Sequence, residues 1–402
     1  MLSSSHTVLD SVAMAYVPAW SRARELVGVR LCVRAMRDDG VDANHLLQAI
    51  GEDWPEEAPP LLLQLQTPRL LQQALSCAPV RNTWLEVPAS LFAATDTLSR
   101  LSLAQRRGHQ LLRQGSWEQL RGQRAPAIAH RDLVTLDSGA ASQQPLAGHF
   151  AEGAATQAQV RRVLDEAQAL AVIGWPSADV LAAHRQAPLA YDPRVVRQVL
   201  LVIDDEECSV EHLERLVRQD PVLVYRILML VNSAAYGLRR EIGSLRHAIM
   251  MLGFRELGRW LAEQLLEAEE DEDLHPVRYA MVMRARMAQH LLATGSDEQL
   301  RAEVFLTAAL SQLDQLLHQP LADLLPRLPL NGRVSDAVLR RDGPYHPLLE
   351  VASALGDPAR MEQMPTLCRR HEFTLEQANR ALLRMLATSR DQASRRSQRL
   401  LG

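Results

Sequence analysis

Residues 220–260, DPVLVYRILMLVNSAAYGLRREIGSLRHAIMMLGFRELGRW, constrain the fold more than any other part of the chain, because three helix signatures follow one another there in a fixed order. Asp220 can cap the open amide groups of a helix start, and Pro221 suits the first helical position, where its missing amide is no loss. Leu223, Ile227 and Val231 recur at helical spacing as far as the polar Asn232 and Ser233, and Gly237 ends the pattern. Ser244 opens the next helix, Ala248, Met251 and Leu252 line one side of it, and Gly253 marks a tight joint before Leu257 and Leu261 continue. The polar residues and glycines here read as helix-ending and close-packing devices rather than as ligand contacts.

The same blocks resemble the HDOD family, which is related to the HD metal-dependent phosphohydrolases. The likeness rests on the Asp-Pro start, on LMLVNSAAYG and on SLRHAIMMLG, and it is the combination at this spacing that is specific. Residues 194–387 carry helical periodicity with hardly a strand signal. Within them, VSDAVLRRDGPYHPLLEVASALGDP and FTLEQANRALLRML resemble the closing helices of HDOD proteins that carry an EAL-like partner domain. Ala337, Leu339, Leu348, Leu349 and Leu355 are expected to complete the core. Thr374 is expected to cap a last helix whose buried stripe is Leu375, Ala378, Leu382 and Leu386.

At 402 residues the chain is long enough for two domains with separate cores. A formal net charge of −4 argues against a generic electrostatic grip on nucleic acid, so no nucleic-acid partner is expected. All 44 basic residues other than histidine are arginine, for the chain contains no lysine. Cys32, Cys77, Cys208 and Cys368 form no Cys-x-x-Cys pair and read as reduced, packed thiols. The N-terminus lacks a basic start followed by an apolar core, and no apolar run nears the ~20 residues of a membrane helix. A cytoplasmic protein that does not enter the membrane is the expectation.

Residues 171–193 contain three prolines, break the pattern and set a domain boundary. The expected division is an α/β domain over 1–185, an all-α domain over 190–390 and a polar tail over 391–402. Upstream, apolar runs at 26–33, 61–65, 84–87 and 133–136 read as strands among helical stretches, the alternation of a parallel barrel. The acidic run 267–273 reads as a solvated helix end, and 319–332 as a Pro- and Leu-rich loop.

Residues 15–34, AYVPAWSRARELVGVRLCVR, resemble the opening of EAL domains, which hydrolyse cyclic di-GMP on a TIM-type barrel with metal-bound water. WLEVP and AEGAAT carry the likeness on to about Pro176. The resemblance implies acidic ligands for two divalent cations at the strand ends. Arg30, however, stands where the family has the Glu of its signature, and GHQLLRQGS has no acidic residue where paired aspartates belong. Ala155 and Ile173 replace a Glu and a Gln, and the family's Lys has no counterpart. Glu86 and Glu152 remain, too few to hold two metals. Arg30 and Glu152 are the nucleotide candidates, and Arg113 and Arg131 join them as arginines read as mostly solvated. Since ~250 residues is typical of a full barrel, a trimmed or distorted one is expected.

HD phosphohydrolases bind metal through a separated His and Asp and a His-Asp dipeptide. The chain has no such dipeptide; Ser311-Gln312 stands in its place, and the preceding helix offers Arg284, Arg286 and a terminal His290. His371-Glu372 lacks the second His of a zinc motif, since Leu375 occupies that position. No catalytic residue, metal ligand or cofactor is therefore expected. Taken together, the resemblances imply a degenerate EAL-like barrel followed by an HD-related helical bundle. The function implied is that of a non-catalytic bacterial regulator that binds a signalling or regulatory protein, with homodimer formation left open. One alternative is a cyclic di-GMP receptor that does not cleave its ligand; the other is a divergent HD-type metal-dependent phosphohydrolase.

Overall fold

Strand β2 (Leu26–Ala35) is buried along its length except at Arg34, as a strand covered on both faces must be. In the computed structural model it follows β1 (Val12–Trp20) and precedes β3 (Leu61–Leu65), β4 (Thr83–Pro88), β5 (Gln110–Ser116), β6 (Arg131–Thr135), β7 (Phe150–Glu152) and β8 (Ala171–Ile173). These eight strands close a barrel in sequence order. β1 runs antiparallel to both its neighbours, and every other pair is parallel. The structure describes residues 7–37, 40–122, 128–137, 146–186, 188–234, 242–265 and 271–389.

Of the expected trimmed or distorted barrel, the strand number is not trimmed, while the antiparallel β1 and two very short strands are the distortion. Closure is complete, but it relies on two strands of only three residues, β7 and β8. Inside, Val27, Leu62, Trp84, Leu112, Leu133, Phe150 and Ala171 form one apolar cluster with Ala19 and Ile173, to which all eight strands contribute. Because side chains alternate along a strand, the residues two positions further on share that face. On five strands those residues are polar: Gln64, Glu86, Gln114, Thr135 and Glu152. An apolar layer near the strand starts thus gives way to a polar layer towards their C-terminal ends.

Two compact units make up the chain: Met1–Pro176 together with Ser353–Gly402, and Ser177–Ala352. The first division lies between Pro176 and Ser177. The expected single helical stretch over 190–390 does not hold, because its last part belongs with the barrel. Helix Leu375–Ala387 packs on β1 and on the 3-10 turn Val8–Ser11. Asn379 Nδ2 donates to the carbonyls of Leu9 and Val12, each at 2.8 Å, and Arg380 and Arg384 both reach Asp53 at 3.5 Å. The predicted cap is present: Thr374 accepts from the Gln377 amide, and Leu375, Ala378, Leu382 and Leu386 are all buried. A barrel of this kind covers its strands with an outer ring of helices. β1 receives its cover from the far end of the sequence, so the helical unit is an insertion in the barrel's own chain.

The second unit is all-α. Helix Pro221–Val231 starts at Asp220, which accepts from the amides of Val222 at 2.8 Å and Leu223 at 3.2 Å. Leu223, Ile227, Leu228 and Val231 are fully buried, each worth about 1.5–3 kcal/mol of transfer free energy. Ser244 caps helix Leu245–Leu252, and Gly253 ends it at φ 72°, ψ 157°, a conformation open in practice to glycine alone. Gly237 lies outside the described residues, as does the proposed tail over 391–402. Several core assignments need correction: Met251 and Leu339 are exposed and Leu349 is only half-buried, whereas Ala337, Leu348 and Leu355 are buried. Asp273, at the end of the acidic run, is buried rather than solvated. Short helical turns at Leu321–Leu324 and Leu325–Arg327 interrupt the expected loop over 319–332.

Candidate functional site

The polar layer of the barrel is organised around one buried guanidinium. Arg30 Nε on β2 donates to Glu86 Oε1 on β4 at 2.7 Å, and Arg30 Nη1 lies 2.6 Å from Glu152 Oε2 at the end of β7. The other oxygen of Glu152 accepts from Gln114 Nε2 on β5 at 2.8 Å and from Thr135 Oγ1 on β6 at 2.7 Å. Five strands therefore place one side chain each in a single network. The sequence candidates Arg30 and Glu152 do come together, bonded directly to each other.

Burial pushes the Glu152 carboxyl up, but the charge of Arg30 and the hydrogen bonds from Gln114, Thr135 and Arg30 outweigh it and hold the group below its ordinary value. For Glu86 burial wins over the pull of Arg30, and its carboxyl sits above the ordinary value. Arg30 is driven further towards its charged form, because the two carboxylates outweigh the penalty of burial. Among the described residues Arg30 Nη2 and Glu86 Oε2 are buried without a hydrogen-bond partner at ordinary distance, and the Gln64 side chain is a further polar neighbour of Glu86.

This arrangement does not fit a two-metal hydrolytic centre. A fixed cation already lies between the two carboxylates, and it would repel a divalent ion while it engages one oxygen of each. Among the described residues no group of three or more His, Cys, Asp and Glu side chains is gathered so that it could hold a metal ion. The reading of Arg113 as mostly solvated is corrected as well. It is buried and holds Asp132 through two hydrogen bonds, Nε to Oδ1 at 2.8 Å and Nη2 to Oδ2 at 2.9 Å. Arg131 lies over the Trp84 ring at 5.9 Å and donates to the Gly148 carbonyl.

In the helical unit the signature residues build a frame. Asp220 is fully buried; beyond its two capping bonds, its Oδ2 accepts from the Asp192 amide and lies 3.5 Å from Arg278 Nη1. Asp192 repeats the same device one helix earlier. With Pro193 at the first helical position, it caps helix Pro193–Val202 through the Arg194 amide at 2.9 Å and meets His275 Nδ1 at 2.7 Å. Burial opposes ionisation of Asp192, but the hydrogen bond and charge of His275 and the charge of Arg278 lower it to about 2. For Asp220 burial prevails over Arg278 and raises the carboxyl. Asp-Pro at 192–193 is a helix-start signal within the proline-containing boundary, and nothing local in the sequence marks Arg278 or His275 as partners of Asp220 and Asp192.

Asn232 bridges two segments. Its Nδ2 donates to the carbonyls of Leu228 at 2.7 Å and Ile242 at 2.8 Å, and its Oδ1 accepts from the Ile242 amide at 2.8 Å. Ser233 lies in the turn that follows the helix, its amide on the Leu230 carbonyl. In place of a His-Asp dipeptide, Ser311 ends helix Glu298–Leu310, and buried Gln312 donates to the carbonyls of Met281 and Ala308. No described helix is long and apolar enough to cross a membrane.

Residues 189–321 match the family model of the HDOD domain. The Bacillus subtilis protein YuxH is 28% identical over 161 residues, 39% of this chain and 39% of its own length. A Vibrio cholerae protein named cyclic di-GMP phosphodiesterase CdgJ is 26% identical over 200 residues, 49% of this chain and 45% of that protein. The chain thus spans less than half the length of these curated relatives. Among solved structures, the MmoQ response regulator of Methylococcus capsulatus is similar at 20% identity and a TM-score of 0.40, covering 49% of this chain and 98% of that one.

Proposed function

We propose, for a chain that carries an HDOD domain over residues 189–321, a non-catalytic regulatory role in cyclic di-GMP signalling, exerted through protein–protein contact. The link to the nucleotide comes from the name of the Vibrio cholerae relative, a cyclic di-GMP phosphodiesterase, and from the EAL-like motifs of the barrel. The observation that carries the non-catalytic reading is the Arg30 guanidinium held between Glu86 and Glu152. It supplies the positive charge that bound metal would supply, but it can neither polarise a phosphodiester as a Lewis acid nor acidify a water. A nucleotide phosphate would have to compete with two carboxylates for the same guanidinium, which disfavours the receptor reading at this site. Ser311 and Gln312 supply no ligand suited to the HD-type alternative, and the Gln312 amide is already bonded to backbone.

Recognition of the partner is assigned to the helical unit. Leu201 is 82% exposed, and Met250 and Met251 are also open to solvent. The experiment pairs two assays on the whole chain. Incubation with cyclic di-GMP and Mg²⁺ or Mn²⁺ is expected to give no linear dinucleotide above a buffer blank, and linear product would overturn the non-catalytic reading. Affinity capture from cell extract is expected to recover a partner that Leu201→Asp and Met250→Asp no longer hold. Capture unchanged by both substitutions would move the interface elsewhere.

A further inference from the structure

The helical unit contains a cavity of about 510 Å³, in the size range of small-molecule sites, which the signalling role leaves unused. Its walls come from helix Val210–Val217 with its C-cap Arg218, from the start of helix Leu245–Leu252, from helix Glu298–Leu310 and from the segment 329–334. Val224, Phe305 and Leu306 give it an apolar side, and all three are buried.

Its charges are unequal. Five charged side chains line it: Glu214, Arg218, Arg246, Glu298 and Glu303. Glu214 bonds both arginines, Arg218 at Oε1 and Arg246 at Oε2, and Arg246 Nη2 also donates to Glu298 at 3.1 Å. Arg218 lies over the Phe305 ring, 5.1 Å from its centroid. Both guanidinium groups are therefore matched by carboxylates. Among the described residues Glu303 has no ion pair, and its Oε1 is buried without a hydrogen-bond partner at ordinary distance; the Tyr345 hydroxyl beside it is a neutral group that leaves its charge unmatched. A carboxylate oxygen left unsatisfied beside an apolar wall is costly, and a charged N–H donor would relieve that cost.

We infer that this cavity binds a small organic cation, an amine or amidine with an apolar body, whose N–H group meets Glu303 while the body rests on Val224, Phe305 and Leu306. An anionic ligand is disfavoured, because it would face Glu303 and would have to displace Glu214 from both arginines. The inference does not depend on the regulatory reading, since a site of this kind would serve an enzyme or a scaffold equally.

The test is isothermal titration of the whole protein with phenethylamine and with agmatine, using the neutral 2-phenylethanol as control. Wild-type protein is expected to bind at least one amine saturably. Glu303→Gln, which keeps the shape of the side chain, is expected to weaken that binding by about tenfold or more, the equivalent of one charge-assisted hydrogen bond. Ala302→Phe, which fills the space beside Glu303, is expected to abolish it with the circular dichroism spectrum unchanged. Absence of saturable amine binding to the wild type would overturn the inference. Equal binding by Glu303→Gln, or equal binding of 2-phenylethanol, would do the same.

Discussion

The barrel and the helical unit both bury carboxylates at their centres, but they use them in opposite ways. In the barrel, Glu86 and Glu152 project from strands whose backbone pairs without them, and one guanidinium, Arg30, is shared between the two. In the helical unit, Asp192 and Asp220 are themselves part of the backbone's hydrogen bonding, each completing the start of a helix. A barrel can therefore exchange its polar layer and keep its frame. The helical unit cannot, because its buried acids are the frame.

The largest test of this contrast concerns what the barrel does require. A chain ending at Ala352 removes the cover of β1 and with it buried Leu382, Leu383, Met385 and Leu386, each worth about 1.5–3 kcal/mol. That sum rivals the whole stability of a typical domain, about 5–15 kcal/mol, so the barrel is expected to lose cooperative unfolding. A truncated protein with unchanged circular dichroism and thermal transition would refute the insertion topology as a source of stability.

Asp220→Ala comes next, at about 4 kcal/mol, since it leaves two helix amides uncapped and Arg278 buried without its carboxylate. Urea unfolding measures it, and a loss below about 1 kcal/mol would show that the frame tolerates the change. Arg30→Ala is expected to cost about 3 kcal/mol at neutral pH by leaving two carboxylates buried together. Both would then have folded-state values above their unfolded ones, so their unfavourable contribution is absent at low pH and grows as pH rises past about 4. Stability measured at pH 4 and pH 8 should show the deficit mainly at pH 8. Replacing Arg30, Glu86 and Glu152 together with Met, Leu and Leu should restore most of the loss, as exchange of a buried ion network for apolar side chains often does.

Asp192→Asn keeps the cap and removes the charge. With its folded value lowered to about 2, Asp192 contributes stability that is present above its unfolded value of about 3.9 and is lost as pH falls towards 2. The variant should therefore be weaker by about 2 kcal/mol near neutrality and match wild type near pH 2; a pH-independent deficit would assign the role to packing instead. The smallest effect, about 1 kcal/mol, is expected for Gly253→Ala. Apart from its chain neighbours, no atom of the described residues lies within 4 Å of the added methyl group, so the backbone conformation is what opposes it, and thermal denaturation is sensitive enough to tell.

Legibility followed range along the chain. The caps at Asp220, Ser244 and Thr374 and the joint at Gly253 were readable because donor and acceptor lie within a few residues of one another. Strands β2, β3, β4 and β6 were readable as apolar runs, whereas β5 mixes Gln110, Arg113 and Gln114 with leucines. β7 and β8 are too short to show any period. Arg30 is legible in the sequence as hostile to metal, but its bond to Glu86, 56 residues away, is not, and Glu86 alone reads as a replacement for a ligand Asn. Arg113 misled because composition places arginine at the surface, and only the pairing of β5 with β6 brings Asp132 beside it.

The sequence by itself determined where helices begin and end around Asp220, Ser244 and Thr374, which strands have an apolar face, and that Arg30 stands among the barrel's polar residues. These are properties of nearest neighbours and of residue chemistry, fixed before any long-range contact forms. Only the tertiary structure decided that eight strands close, that residues from 353 onward return to cover β1, and that Arg30 lies between two carboxylates. Each of those facts joins residues far apart in the chain, and no local preference specifies which distant partner a strand edge, an apolar stripe or a buried charge will find.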